Sequence, residues 1–361
     1  MAQADPGPLH AWLSRVRETE GSDLLLVAGV APTIRVRGSL QTAAPDILDS
    51  DAIAEATQPF VPARLAGAFA AGEAVDLAFS LPGLGRFRMN LHRERGHVAA
   101  AIRALPTAIP ALAELGFSHD ISLLSELPRG LLLVSGPTRS GKTTTVAALV
   151  AAMNARHDRH IITIEDPVEY IHAHGRSVVE QIEIGVDAES FPVALRSVLR
   201  QAPDVIVIGE MRDTESIRIA VSAAETGHLV IATVHAPDVG GAVSRMADGF
   251  PPERQNTVRQ ELSMGLAAVL TQSLLRGTRG QLVPASELLV VSYGARQHIR
   301  KNALQNLHQE MTSTRRLGSF TLEDSLARLV RDGTLDRATA ALRAAHPEEL
   351  DLLLDAPAKR G

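Results

Sequence analysis

Gly136-Pro-Thr-Arg-Ser-Gly-Lys-Thr143 follows the apolar run Leu131 to Ser135 and leads into an alanine-rich stretch, Thr143 to Asn154, of helical character. The octapeptide matches G-x-x-x-x-G-K-[ST] in the strand–loop–helix context which that motif requires. Glycines let backbone N–H groups curl around phosphate oxygens, and the helix N-terminus adds a positive dipole. Lys142 reaches the β and γ phosphates, and Thr143 offers a hydroxyl to Mg²⁺. The whole segment of Gly136, Pro137, Thr138, Arg139, Ser140, Gly141, Lys142, Thr143 and Thr144 is therefore expected to hold a nucleoside triphosphate.

Composition gives the motif weight. The 36 basic residues comprise 33 arginines and only three lysines, Lys142, Lys301 and Lys359. A chain that uses arginine almost everywhere keeps lysine at 142, where a compact ammonium does what a planar guanidinium cannot. With 361 residues there is room for two or three domains, and a net charge of −5 gives no overall basic footprint for duplex DNA. Zero cysteines exclude a disulfide framework, a thiolate nucleophile and any cysteine-ligated metal, and fit a reducing compartment. No apolar run approaches the ~18 residues of a membrane-spanning helix. Met1-Ala-Gln-Ala-Asp-Pro-Gly-Pro8 lacks the basic and apolar regions of a secretory signal, so a cytoplasmic location is expected.

Around the motif, short apolar runs at Leu131 to Ser135, His160 to Ile164, Val205 to Ile208 and Leu229 to Thr233 alternate with helical stretches, including Thr143 to Asn154 and Thr214 to Glu225. Strands buried on both faces with helical crossovers predict an α/β core with a largely parallel sheet. Upstream, Leu9 to Arg103 reads as an α+β unit. Its expected strands are Asp23 to Val27, Thr33 to Val36, Ala74 to Ala78, Gly85 to Leu91 and Val98 to Ile102, and Asp51 to Phe69 is helical but interrupted by Pro59 and Pro62. Pro106 and Pro110 mark a linker, giving expected domains 1–104 and 116–361 joined by 105–115. From Glu253 to Leu354 the pattern is mostly helical.

Three further stretches carry chemistry. Asp204-Val-Ile-Val-Ile-Gly-Glu210 is an apolar strand ending in a carboxylate, placing Glu210 to hold Mg²⁺ directly or through water. His160-Ile-Ile-Thr-Ile-Glu165-Asp166-Pro167 ends in two acids, and Glu165 either activates the attacking water or is a solvated strand end. His228 and His235 bracket an expected strand, ~23 Å apart if fully extended, too far to share a metal ion. They read either as polar ends that sense the γ-phosphate and a subunit contact, or as ordinary capping histidines.

Taken together, the motifs resemble the PilT-like branch of the type II/IV secretion ATPases, the hexameric motors of type IV pilus retraction. The resemblance rests on the phosphate loop, on Ile162-Thr-Ile-Glu-Asp-Pro-Val-Glu169, on Pro203-Asp-Val-Ile-Val-Ile-Gly-Glu-Met-Arg-Asp213 and on Thr226 to His235. It extends to Ser22-Asp-Leu-Leu-Leu-Val-Ala-Gly29, to Gly85-Arg-Phe-Arg-Met-Asn90 and to Gly318–Asp332. It implies a PAS-like N-terminal α+β domain and a RecA-like P-loop ATPase domain with a helical C-terminal extension. It further implies ATP and Mg²⁺ as ligands, with Thr143 and Glu210 holding the ion, and Glu165 as the catalytic glutamate. Arg88 and Arg103 would be the arginines through which the N-terminal domain reaches nucleotide, or else surface arginines on strands. The implied partners are a homo-hexamer, an inner-membrane pilus platform protein and a paralogous pilus ATPase, with the chain peripheral at the inner face of the inner membrane and no nucleic acid bound.

Three positions depart from the pattern: Arg139 stands where the family usually has glycine, Ser22-Asp-Leu-Leu25 replaces Ser-Asp-Leu-His, and Gly294-Ala-Arg-Gln-His-Ile-Arg-Lys301 differs from the retraction signature, ending in lysine instead of glutamate. They motivate an accessory or regulatory paralogue with weak hydrolysis as a second reading. A RecA-like nucleic-acid translocase is a third, with little electrostatic support. The absent cysteines weigh against extension and type II secretion motors, which generally carry a tetracysteine zinc element.

Overall fold

The computed structural model describes residues 7–356. Lys359, the first six residues of the N-terminal reading and the outer ends of the expected domains lie outside that range. The chain forms two compact units, one from the residues up to Ala108 together with Pro167–Tyr170, the other from Ile109–Asp166 and Ile171 onward.

The first unit contains α1 (Gly7–Glu18), β1 (Asp23–Leu26), β2 (Thr33–Val36), β3 (Ser39–Thr42), α2 (Ser50–Thr57), α3 (Ala63–Ala70), β4 (Val75–Leu81), β5 (Gly85–Glu94) and β6 (His97–Ala104). Its strands form an antiparallel sheet in the order β3-β2-β1-β6-β5-β4. Alternation along β4 and β5 sends Leu77, Phe79, Phe87 and Met89 to a core shared with Leu13 and Val16 of α1 and Ile53 of α2. Arg37 and Gly38, at φ 48° and 88°, supply the two left-handed residues that a tight β2–β3 hairpin needs. Arg17 ties α1 to the sheet: its guanidinium donates to the carbonyls of Leu84, Arg86 and Leu105 at 2.8, 3.1 and 2.8 Å and stacks on the Phe87 ring.

The second unit is built on β7 (Gly130–Ser135), α4 (Lys142–Arg156), β8 (His160–Glu165), β9 (Val178–Glu183), α5 (Phe191–Val198), β10 (Val205–Ile208), α6 (Thr214–Glu225), β11 (Leu229–Val234), α7 (Val239–Asp248), α8 (Pro252–Gly265), β12 (Leu266–Arg276) and β13 (Leu282–Val290). Five helices follow: α9 (Tyr293–Arg300), α10 (Leu307–Ser313), α11 (Leu322–Arg331), α12 (Arg337–Arg343) and α13 (Pro347–Asp355). The sheet order is β13-β12-β7-β11-β10-β8-β9, parallel throughout except for the β12–β13 pair. Every residue of β7, β10 and β11 is buried. Odd and even positions feed separate cores: Leu131 and Leu133 pack on the α5–α8 side, Leu132 and Val134 against Val146, Leu149 and Met153 of α4. Both faces are thus covered, as a parallel sheet with crossover helices demands.

The mostly helical reading of Glu253 to Leu354 is corrected here. Between α8 and α9, Leu266–Val290 is a long antiparallel hairpin that completes the sheet, and only the rest of the stretch, α8 and everything from Tyr293, is helical in character. β12 reads Leu-Ala-Ala-Val-Leu-Thr-Gln-Ser-Leu-Leu-Arg, rich in helix formers, and it follows α8 with only Gly265 as punctuation. β13 carries Pro284 and Glu287, both poor markers of a strand, tolerated because β13 is the sheet edge.

Glu287 is buried in that hairpin, where its carboxylate accepts the Val239 N–H at the start of α7 at 2.6 Å. Burial, aided by the nearby charges of Asp238 and Glu323 and opposed by the Val239 hydrogen bond and Arg343, pushes its carboxyl up from 4.5 to about 7. The native state therefore holds a proton that the unfolded chain has released, and stability falls with rising pH between those two values by ~1.4 kcal/mol per unit. Glu287→Gln is expected to flatten that pH dependence in urea unfolding between pH 5 and about 7, and to be the more stable variant at about pH 8. Parallel pH profiles for the two proteins would contradict this.

Candidate active site

Because β7, β8, β10 and β11 run in one direction, their C-terminal ends share an edge, with Ser135 opposite Val234 and Ile208 opposite both Ile164 and Ala232. Ligands of such sheets bind beyond that edge. The loop after β7 is the phosphate motif. Gly136 sits at φ +146°, and a Cβ there would lie 2.1 Å from the Gln272 carbonyl oxygen and 2.6 Å from Ser140 Oγ. Only glycine fits. Gly141, at φ +87°, begins α4 without a side-chain cap, so the first-turn amides are left to an external acceptor. Pro137, Thr138 and Arg139 are exposed, whereas Ser140 is buried; Thr143 is exposed on the first turn of α4, and Thr144 half-buried beside it. Arg139 occupies φ +65°, a left-handed conformation that a glycine would adopt without cost.

Lys142 is 8% exposed, and its ammonium donates to the Gly136 and Pro137 carbonyls, both at 2.9 Å. Burial lowers its pKa, with the charge of Glu210 acting in the opposite direction. His235 Nδ1 lies 3.4 Å from the same ammonium, and His235 Nε2 lies 3.2 Å from Glu210 Oε1. An ammonium has only protons to give, so this geometry assigns Nδ1 as acceptor and leaves the ring proton on Nε2, on the side facing Glu210. The imidazole thereby links the loop lysine to the acid after β10. Glu210 also accepts from Arg212 at 2.7 Å; that hydrogen bond holds its carboxyl below the usual range against the opposing effect of burial.

Glu165, the last residue of β8, accepts from the Thr163 hydroxyl at 2.6 Å and from the Gln181 amide at 3.1 Å, which fixes the carboxylate at the strand edge. Gly209 permits the close approach of the next strand: a Cβ there would lie 3.3 Å from Glu165 Cα. The residues fit a magnesium nucleotide. The first-turn amides of α4 have no side-chain cap, Ser140 Oγ and Gln272 Oε1 are buried without a hydrogen-bond partner, and the Thr143 hydroxyl with the Glu210 carboxylate is an all-oxygen donor set suited to a hard cation.

His228 lies at the opposite end of β11, bonded through Nδ1 to the Ala223 carbonyl at 3.1 Å, and is not brought to the loop. Arg88 and Arg103 are cross-strand partners in the first unit, and Asp23 faces Arg103 on the other side. Arg103 donates to Asp23 at 3.0 Å and Arg88 lies 3.5 Å from Asp76. Burial raises the Asp23 pKa, but hydrogen bonds from Ser22 and Arg103 and the charges of Arg103 and Arg35 outweigh it and leave the carboxyl low. Sequence reasoning missed Gln272, whose amide donates to the Ser140 carbonyl at 2.7 Å and so braces the loop, because it stands on the unrecognised hairpin. Arg212 lay within a quoted motif but was assigned no role.

The family model described as type II/IV secretion system protein matches residues 98–346. The type IV pilus retraction ATPase PilT of Pseudomonas aeruginosa is 37% identical over 327 residues, which cover 91% of this chain and 95% of that protein. The type IV pilus ATPase PilU of the same organism is 35% identical over 342 residues, covering 93% and 88%. A crystal structure of the pilus retraction motor PilT with bound ADP matches with a TM-score of 0.88 at 36% identity, covering 96% of this chain and all of that one.

Two substitutions test the loop geometry. Gly136→Ala is expected to destabilise the protein by ~2–5 kcal/mol and to abolish nucleotide binding. Arg139→Gly is expected to fall between no change and a gain of ~1 kcal/mol, with binding retained, since relief at positive φ exceeds the added chain entropy. Chemical unfolding and titration with a fluorescent ATP analogue measure both.

Proposed function

The chain belongs to the type II/IV secretion ATPase family, and from that premise we propose that it is a Mg²⁺-dependent ATPase that assembles as a hexamer and powers type IV pilus retraction against an inner-membrane platform protein. The observation that carries the ATPase reading is the gathering of Lys142, Glu165, Glu210 and His235 beyond the C-terminal ends of adjacent parallel strands. No helix among the described residues is long and apolar enough to cross a membrane, consistent with a peripheral place at the inner face of the inner membrane.

In this reading the α4 amides and Lys142 bind the phosphates, and Lys142 exchanges its loop carbonyls for phosphate oxygens. Thr143 and Glu210 would hold Mg²⁺, which neutralises charge on the transferred phosphoryl group. Glu165, held by Thr163 and Gln181, orients and deprotonates the attacking water. His235, hydrogen-bonded to Lys142 and lying 3.2 Å from Glu210, reports a change at the loop to the acid after β10. The row of Arg88 and Arg103 is the first unit's candidate anion-binding surface, and His228 is a candidate subunit contact.

A specific observation supports the accessory reading as second. Arg139 spends backbone strain on a bulky cation in the loop, and the identities to PilT and PilU are nearly equal at 37% and 35%. Steady-state hydrolysis by the isolated protein, alone and with a paralogous motor, separates the two, since robust turnover alone excludes a purely regulatory role. A flat response to single-stranded DNA is expected and removes the translocase reading.

Glu165→Gln is expected to lower turnover ~10²–10⁴-fold while retaining nucleotide, and Lys142→Ala to lose binding as well. Undiminished phosphate release by Glu165→Gln would take that residue out of the catalytic role.

A further inference from the structure

Away from the phosphate loop, the C-terminal helices gather two imidazoles and two carboxylates. His308 stands on α10, Glu323 on the first turn of α11, His346 immediately before α13 and Glu349 on the first turn of α13. One ligand atom from each lies within 4.8 Å of every other. His308 Nε2 is 2.6 Å from Glu349 Oε2, His346 Nδ1 is 3.7 Å from Glu323 Oε1, and the two rings stand 4.0 Å apart between centroids.

Two independent ion pairs would account for the contacts but not for the burial. Glu323 is 1% exposed, and among the described residues the only basic side chain within ion-pair reach of it is His346, beyond hydrogen-bond distance. It accepts a hydrogen bond from the His346 backbone N–H at 2.8 Å. A buried carboxylate with so little compensation is costly. Two imidazoles with centroids 4.0 Å apart repel if both are protonated, so protonating them is a poor remedy, and a cation placed among all four groups is a better one.

We infer that His308, Glu323, His346 and Glu349 form a transition-metal site, with Zn²⁺ as the best-fitting ion. Two nitrogen and two carboxylate donors suit zinc and not the all-oxygen octahedra of Mg²⁺. Four ligands at ~2.0–2.1 Å from a tetrahedral ion stand ~3.4 Å apart, so ligand atoms that now lie within 4.8 Å of one another draw together by at most about 1.4 Å. Entry of the ion displaces any proton shared between His308 and Glu349. The other Glu349 oxygen lies 3.8 Å from Arg315, itself paired with Asp324 of α11, which fixes the orientation of the carboxylate. His346 is exposed and provides the entry path. Bound there, the ion staples α10, α11 and α13. It also steadies α9, because Glu310 of α10 accepts from Ser292, the α9 cap.

The test uses the untagged full-length chain, stripped of metal and titrated with Zn²⁺ against a chromophoric chelator. One equivalent per chain is expected for the wild type and for His235→Ala, which removes the histidine–carboxylate pair at the phosphate loop. His308→Gln keeps a donor toward Glu349 but is a poor metal ligand. It is expected to match the wild-type melting curve without metal and to lose the equivalent, or to bind it at least tenfold more weakly. Should that variant misfold, the Co²⁺-loaded wild type decides: intense visible bands of four-coordinate cobalt support the site, and the weak spectrum of six-coordinate cobalt overturns it. Failure of the wild type to bind an equivalent, or its retention in His308→Gln, overturns it equally.

Discussion

An ammonium buried inside a loop of backbone carbonyls is the constraint around which the second unit is organised. Lys142 is held there by Gly136 and Pro137, and the loop can close on it only because Gly136 has no Cβ and Gln272 on β12 approaches to fill the space. β12 must therefore lie beside β7, and the hairpin to β13 fastens that edge. On the other side of β7, β11 delivers His235, and β10 and β8 deliver Glu210 and Glu165 in order. The parallel register brings sequence-distant strand ends to a single edge.

Electrostatics along that edge is a chain of alternating partners. Lys142, His235, Glu210 and Arg212 follow one another at 3.4, 3.2 and 2.7 Å. Such a two-ended arrangement suits a machine that must convert phosphate occupancy into a shift of a neighbouring element. Arg139 is the local exception to economy, since a glycine would take its left-handed conformation without cost.

The parts legible in the sequence were those whose physics is local. Continuous apolar runs at β7, β8, β10 and β11 announced strands buried on both faces, and the glycine–lysine motif announced the strand–loop–helix that carries it. The β12–β13 hairpin was illegible because its alanine- and leucine-rich pattern fits a helix equally well, and because an edge strand tolerates Pro284 and Glu287. Gln272 was lost with it. His308, Glu323, His346 and Glu349 could not be grouped either, since three helices separated by long intervals bring them together and no spacing advertises it. His228 was legible in position, since an extended strand between it and His235 already set the two histidines at opposite ends of β11.

In the proposed function, ATP hydrolysis at this edge drives pilus disassembly. Deletion of the gene in the source organism, followed by a count of surface pili, tests that most directly. An excess of long, non-retracting filaments, restored to normal number by the wild-type chain but not by Glu165→Gln, is the predicted result. Bald cells, pointing to a role in assembly, would contradict it.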